Sequence, residues 1–288
     1  MSTIGLLVKP KIEAAAALAC SLLEWAETKG HKVVLETETA QILGRKEGVS
    51  PEKIVDLCDP IVTLGGDGTL IGVARFVNGK PPVMVGVNFG RLGFLTEVAP
   101  EELLSTLQSV LSGKAKLGER IMLECEVLRG KERLFYSQAI NDIVINKGAQ
   151  DPLLDLDFSA DNEEIMRLRA DGVIVSTPTG STAYSLAAGG SIVHPSVAVL
   201  LVTPICPHSL TNRPLILGEQ TSLQITIPPH EGKVFLSADG QSGIELNISD
   251  RVTVRKAKNK VVFVRSPKST YFQILRHKLS WGATHSGG

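Results

Sequence analysis

The sequence lacks a net charge: 30 Lys and Arg stand against 30 Asp and Glu in 288 residues. Proteins that mainly grip nucleic acid or an anionic membrane usually carry a basic excess, so those classes are disfavoured. It also lacks paired cysteines. Cys20, Cys58, Cys125 and Cys206 stand far apart with no C-x-x-C, which argues against a zinc site or a disulfide framework and points to a reducing compartment. The six histidines never form H-E-x-x-H. The N-terminus has no basic n-region and reads as a first strand rather than a signal peptide. No apolar run approaches the ~20 residues of a membrane span. Residues 172–212 contain no charged side chain, yet proline, serine and glycine interrupt them. Such a stretch reads as buried or as lining a site, and a soluble cytoplasmic protein is expected.

Familiar catalytic and nucleotide frames are missing too. Gly79-Lys80 and Gly113-Lys114 lack the followers of a Walker A loop, and Ile71 stands where G-x-G-x-x-G needs its last glycine. Ser191 and Ser242 lack the G-x-S-x-G frame of an esterase. His194 and His208 have no acid at a recognisable spacing and read as structural.

What is present begins with a core. Hydrophobic residues make up 43% and charged residues 21%, which excludes wholesale disorder, and the length suits about two domains. Glycine is high at 27, and twelve of these fall within residues 65–93 and 171–190. The first hundred residues alternate strands (4–8, 33–36, 61–64, 83–87) with helices (11–29 closed by Gly30, 51–58 opened by Ser50-Pro51, 70–77 and 100–111). That rhythm implies a parallel sheet with helices on its faces. After about residue 120 the rhythm changes to short strands at 122–128, 133–140, 154–159, 165–168, 223–227, 234–236, 251–256 and 261–265. Residues 256–260 read as a solvated turn. The second domain is expected to be all-β. Residues 271–281 return to a helical pattern.

Four motifs could carry chemistry. Gly65-Gly66-Asp67-Gly68-Thr69 follows a strand and precedes a helix, the place where α/β sheets bind ligands. Its glycines would let backbone amides approach a phosphate, beside a helix N-terminus. Asp67 is a poor phosphate ligand and suits a base for a hydroxyl proton, or a metal partner. A tight turn using Asp and Gly for their conformations is the alternative. The run from Gly86 to Leu95 carries three glycines after another strand, either for a ligand or as a connection between domains. Asn141-Asp142 suits two ribose hydroxyls or a base edge, or is an ordinary strand entry. The run from Arg169 to Ser185 leads from a β segment into hydroxyls and glycine, then a short Ala-rich helix. Tyr184 could stack on a flat ligand and Arg169 suits phosphate. A packed domain junction is the alternative, although the lone Asp171 would be costly there without a partner.

Together these motifs resemble the bacterial NAD kinases across residues 4–282. Gly-Gly-Asp-Gly loops also occur in diacylglycerol and sphingosine kinases and in phosphofructokinases. The stretch from Ser176 to Tyr184, with Gly189-Gly190 and at this distance from Asn141, is the specific part. The resemblance implies an N-terminal α/β domain with a parallel sheet, residues 1–98, completed by the C-terminal segment 266–288. It implies an all-β sandwich that binds dinucleotide over 99–265. It implies transfer of the γ-phosphoryl group of ATP, or of polyphosphate, to the 2′-hydroxyl of the NAD adenosine ribose, with Mg2+ as the divalent ion. Asp67 would match the general base, and Gly65, Gly66, Gly68 and Thr69 the phosphate loop. Asn141 and Asp142 would meet the dinucleotide's hydroxyls and base, although many members have Glu where Asp142 stands. Arg169 and Asp171 would contact the dinucleotide, across a subunit contact in a dimer or tetramer. Thr182, Ala183, Tyr184, Ser185, Leu186 and Ala187 would line the adenosine pocket, with Gln241 reaching in from the β domain. The metal ligands stay open. Two rivals share parts of the pattern: a lipid kinase on the same loop, and a non-catalytic NAD(P) sensor that would not need Asp67.

Overall fold

The computed structural model describes residues 1–10, 12–90, 93–161 and 163–281. By internal contacts the chain forms two units, Met1–Glu119 with Val261–Gly288, and Arg120–Lys260. The sequence suggested 98 and 265 as the dividing points.

In the first unit, β1 (Thr3–Val8), α1 (Glu13–Thr28), β2 (Lys32–Leu35), α2 (Thr37–Ile42), α3 (Pro51–Leu57), β3 (Ile61–Leu64), α4 (Asp67–Ala74), β4 (Val83–Val87) and α5 (Leu103–Leu111) follow one another. The strands pair in parallel in the order β2-β1-β3-β4. Every residue of β3 is buried, as a strand covered on both faces requires. Helix α1 turns Ala15, Ala19, Leu22 and Ala26 inward at helical spacing. Gly30, at φ +71°, ends it, with the His31 amide donating to the Ala26 carbonyl at 2.8 Å. The expected Pro51 start of α3 holds, although the Ser50 side chain makes no cap bond. The strand order reverses between β1 and β3, so the carboxyl end of β3 lies at a switch point of the sheet.

The second unit is antiparallel. Its elements are β5 (Leu117–Arg129), β6 (Glu132–Ala139), β7 (Asp142–Lys147), β8 (Leu154–Ala160), β9 (Glu163–Ala170), β10 (Gly172–Ser176), α6 (Tyr184–Ala187), β11 (Val199–Ile205), β12 (Leu215–Gly218), β13 (Leu223–Thr226), β14 (Val234–Ala238), β15 (Ser242–Leu246) and β16 (Asp250–Val264), although the first residues of β5 and the last four of β16 fall in the first unit, where β16 pairs in parallel with β4. One sheet runs β12-β11-β10-β7-β14-β15. Facing it are β9, β8, β13 and β16, with β5 and β6. Between the two sheets lies one apolar core that draws Ile143 and Val173 from one side and Phe158 and Ile225 from the other. This is the sandwich that the resemblance implied.

Three expectations are corrected. Helix α4 begins at Asp67 rather than Leu70, because Gly66 is its extended N-cap and the loop residues form its first turn. Residues 256–260 are strand rather than turn. They lie inside the fifteen-residue β16, where Ala257 is buried and the flanking lysines alternate outward. Helix α2 and strands β12 and β15 are present where no element was expected. The last helix, α7 (Tyr271–Leu279), belongs to the first unit and matches the expected helical tail. Lys11, Arg91, Leu92 and the residues from Gly282 onward lie outside the described residues. No described helix is long and apolar enough to cross a membrane.

Candidate functional site

The carboxyl end of β3 seats Asp67. Its Oδ1 accepts from the amides of Thr96 (2.9 Å) and Leu95 (3.2 Å) and from the Thr96 hydroxyl (2.7 Å). Its Oδ2 accepts from the Phe94 amide at 2.9 Å. One oxygen is thus saturated, and the other has one donor among the described residues and room for another proton. The carboxylate is held in place while only partly buried.

The glycines around it divide into two kinds. A Cβ at Gly93 would lie 2.1 Å from Asp67 Oδ1, and one at Gly65 would lie 2.5 Å from Thr69 Oγ1. A Cβ at Gly86 would meet Thr96 Cγ2 at 2.7 Å. These glycines are needed for packing. At Gly66, Gly68 and Gly90 a Cβ would meet nothing within 4 Å among the described residues, and their backbone is not in the left-handed region. Packing does not account for them, whereas a ligand approaching the backbone would.

In the second unit three loops converge. The hairpin between β14 and β15 turns at Asp239 (φ +49°) and Gly240 (φ +63°), the Asp-Gly geometry of a tight primed turn. The Asp239 carboxylate accepts from the amides of Ile140 (2.8 Å), Asn141 (2.8 Å) and Asp142 (3.0 Å). In return the Asp239 amide donates to the Asp142 carbonyl at 2.9 Å. The Thr177 hydroxyl bridges the Ile140 carbonyl and the Gly180 amide. A Cβ at Gly180 would come within 2.0 Å of the Asn141 carbonyl oxygen. The Asn141-Asp142 pair is therefore fixed from both sides.

Asp142 is buried, at 5% exposure. Burial first, and the Asp239 charge second, push its carboxyl up from 3.8 to about 7. At neutral pH it is poised between donating and accepting a hydrogen bond, a state suited to reading a hydroxyl or base edge.

The other expected residues are placed as follows. Tyr184 and Ala187 are exposed on α6, and Thr182, Ala183 and Leu186 are partly so. Ser185 faces inward, and its hydroxyl pairs with that of Thr203 at 2.9 Å. Gln241 is exposed at the end of the Asp239 turn. Arg169 is exposed on β9. Asp171 is not alone: its carboxylate lies 3.5 Å from Lys147 Nζ and is 39% exposed, so it carries no unpaired-burial cost. Sequence reasoning missed what Gly93, Thr96, Thr177 and Asp239 do. Only the Asp-Gly turn dipeptide hinted at one of them. Among the described residues no group of three His, Cys, Asp or Glu forms a metal cluster.

Two family models match the chain: the ATP-NAD kinase N-terminal domain over residues 4–115 and the ATP-NAD kinase C-terminal domain over residues 140–266. An NAD kinase of Geobacter sulfurreducens is 42% identical over 282 residues, covering 98% of this chain and 99% of the relative. An NAD kinase of Trichlorobacter lovleyi is 41% identical, with the same coverage. The crystal structure of yeast NADH kinase complexed with NADH matches at a TM-score of 0.90 and 29% identity, over 99% of this chain and 89% of that one. With both domain models matched in order, and relatives above 40% identity along 98% of its length, the chain belongs to the NAD kinase family, enzymes that phosphorylate NAD.

Proposed function

We propose that this protein transfers the γ-phosphoryl group of ATP to the 2′-hydroxyl of the adenosine ribose of NAD, with Asp67 as general base. The seat of Asp67 is the observation that carries the reading. A ribose hydroxyl is a weak nucleophile, so its proton must leave as its oxygen attacks phosphorus. The new O–P bond forms as the bond from the γ-phosphorus to the β,γ-bridging oxygen breaks. The proton goes to Asp67 Oδ2, and ADP departs with the electron pair.

The open faces of Gly66 and Gly68, at the start of α4, suit donor phosphates, with Gly65 and Thr69 shaping the loop. Asn141 and Asp142 read the dinucleotide's hydroxyls and base. Tyr184 offers a stacking face, with Thr182, Ala183, Leu186 and Ala187 around it and Ser185 behind. Arg169, Asp171 and Gln241 supply the outer polar contacts. A divalent ion, Mg2+ in the expected case, would neutralise the donor phosphates. The described residues fit an ion carried mostly by phosphate oxygens and water, since they form no ligand cluster of their own. A reducing cytoplasm is the expected compartment, and burial, which pushes the Cys58 and Cys125 thiols up to about 11 and about 12, keeps them unreactive. A homodimer or homotetramer is the expected assembly.

A donor-by-acceptor assay tests the reading: ATP or polyphosphate, crossed with NAD, NADH or diacylglycerol, under a magnesium titration. Magnesium-dependent NADP formation from ATP is expected. Labelled lipid would replace the reading with a lipid kinase, and NAD binding without NADP from any donor would replace it with a sensor.

A further inference from the structure

We propose that the C-terminal segment 265–279 is a brace that positions the Asp67 carboxylate, acting through Glu97 and Tyr271. This rests on the reading of Asp67 as the base. Three of the four donors to Asp67 are backbone amides of Phe94, Leu95 and Thr96. These residues belong to no helix or strand, so the regular hydrogen-bond ladders do not fix them. On one side Val98 ties the loop to β4, its amide donating to the Gly86 carbonyl at 3.2 Å, and the C-terminal segment holds it from the other.

The C-terminal segment does so at two places. Glu97, next to Thr96, is 4% exposed. Its Oε2 accepts from the Ser266 amide at 2.9 Å, and its Oε1 lies 2.9 Å from Arg265 Nε. The second hold is on Phe94, whose own amide meets Asp67 Oδ2. The Phe94 ring packs on Tyr271 at a centroid distance of 6.5 Å, and Lys278 Nζ lies 5.9 Å above its centroid. Tyr271 is itself 9% exposed and opens α7, which buries Ile274 and Leu275 and begins with a Thr270–Gln273 capping box. Glu102 adds a further ion pair to Lys268. Elements more than 160 residues apart in sequence thus fasten both ends of the loop.

The physical consequence is specific. Removing the Glu97 charge leaves the partly buried Arg265 without its counter-charge, so the loop shifts to relieve it. Losing the Tyr271 ring leaves a gap beside Phe94. Either change moves the amides that aim Asp67 without touching a substrate. Small misplacements of a catalytic group cost rate steeply, whereas binding made elsewhere persists.

The test uses the full chain with Tyr271→Ala, Tyr271→Phe, Glu97→Gln and the surface control His277→Ala, each alone and in an Asp67→Asn background. Tyr271→Ala is expected to lower kcat about tenfold, with KM for NAD and ATP changed less than about twofold. Tyr271→Phe should restore kcat, and His277→Ala should leave it unchanged. In the Asp67→Asn background, Tyr271→Ala should cause no further loss, because it acts through Asp67. If Tyr271→Ala does not fold, Glu97→Gln carries the same test, since it keeps the size and the acceptor for Ser266. A rise in KM at constant kcat, or the same fold-loss in both backgrounds, overturns the brace. An inactive Asp67→Asn beside a fully active Tyr271→Ala overturns the brace alone. A fully active Asp67→Asn overturns the base assignment beneath it.

Discussion

Asp67 and Asp142 are both carboxylates beside glycine-rich loops, yet their surroundings are opposites. Asp67 meets four hydrogen-bond donors and is only partly buried. Asp142 is buried and faces the carboxylate of Asp239, whose own oxygens take three backbone amides. The difference teaches how the same side chain serves two ends. Donors fix one carboxylate in position with an oxygen to spare for a proton. Burial and a like charge keep the other near its titration point, where it can read a ligand. On the proposed reading, chemistry falls to the first and recognition to the second.

The largest expected effect that would break this contrast is at Gly93. An alanine there drives its Cβ into Asp67 Oδ1, so Gly93→Ala should lower kcat by about a hundredfold or more, read by steady-state kinetics, while NAD still binds. Next is Asp239→Ala, which removes the acceptor of three amides. It should cost about 2–3 kcal/mol in denaturant unfolding and raise KM for NAD about tenfold or more, with a smaller effect on kcat. Smaller still are Gly66→Ala and Gly68→Ala. Each meets open space, so Tm should hold, while a backbone approach by phosphate is obstructed and KM for ATP rises several-fold.

The last effect is read in stability, as a pH slope. Asp142 titrates near 7 in the folded chain against its ordinary 3.8, so the folded state binds the proton more tightly. Its contribution to stability is full below about pH 4 and is lost as pH rises through about 7. Asp142→Asn should flatten the fall in Tm between about pH 4 and pH 7. A slope unchanged by that substitution would remove the distinction between the two carboxylates.

Much of this was legible in the sequence. Ile61, Val62 and Leu64, with only Thr63 between them, announce β3 and its loop before Gly65-Gly66, because a doubly covered strand needs no alternation. The all-β second unit follows from short strands separated by turns, and its sandwich form from the family resemblance. What stayed hidden depends on distant partners. Gly93 reads as one more flexible glycine until Asp67, 26 residues earlier, is placed against it. Asp239 reads as a turn residue until its carboxylate reaches amides almost a hundred residues away. The lysines of 256–260 suggested solvent, and they do face outward, but from a strand whose inward residue is the small Ala257. Asp171 looked costly only because Lys147 is remote in sequence.

The division of labour is tested most directly by Asp67→Asn, with NAD affinity from calorimetry and turnover from NADP formation measured on the same preparation. The amide keeps the size of the side chain and loses the proton acceptor. The expected result is NAD affinity within about twofold of the parent and kcat lower by about a thousandfold. NADP formation at the parental rate would contradict the assignment of Asp67 as the base.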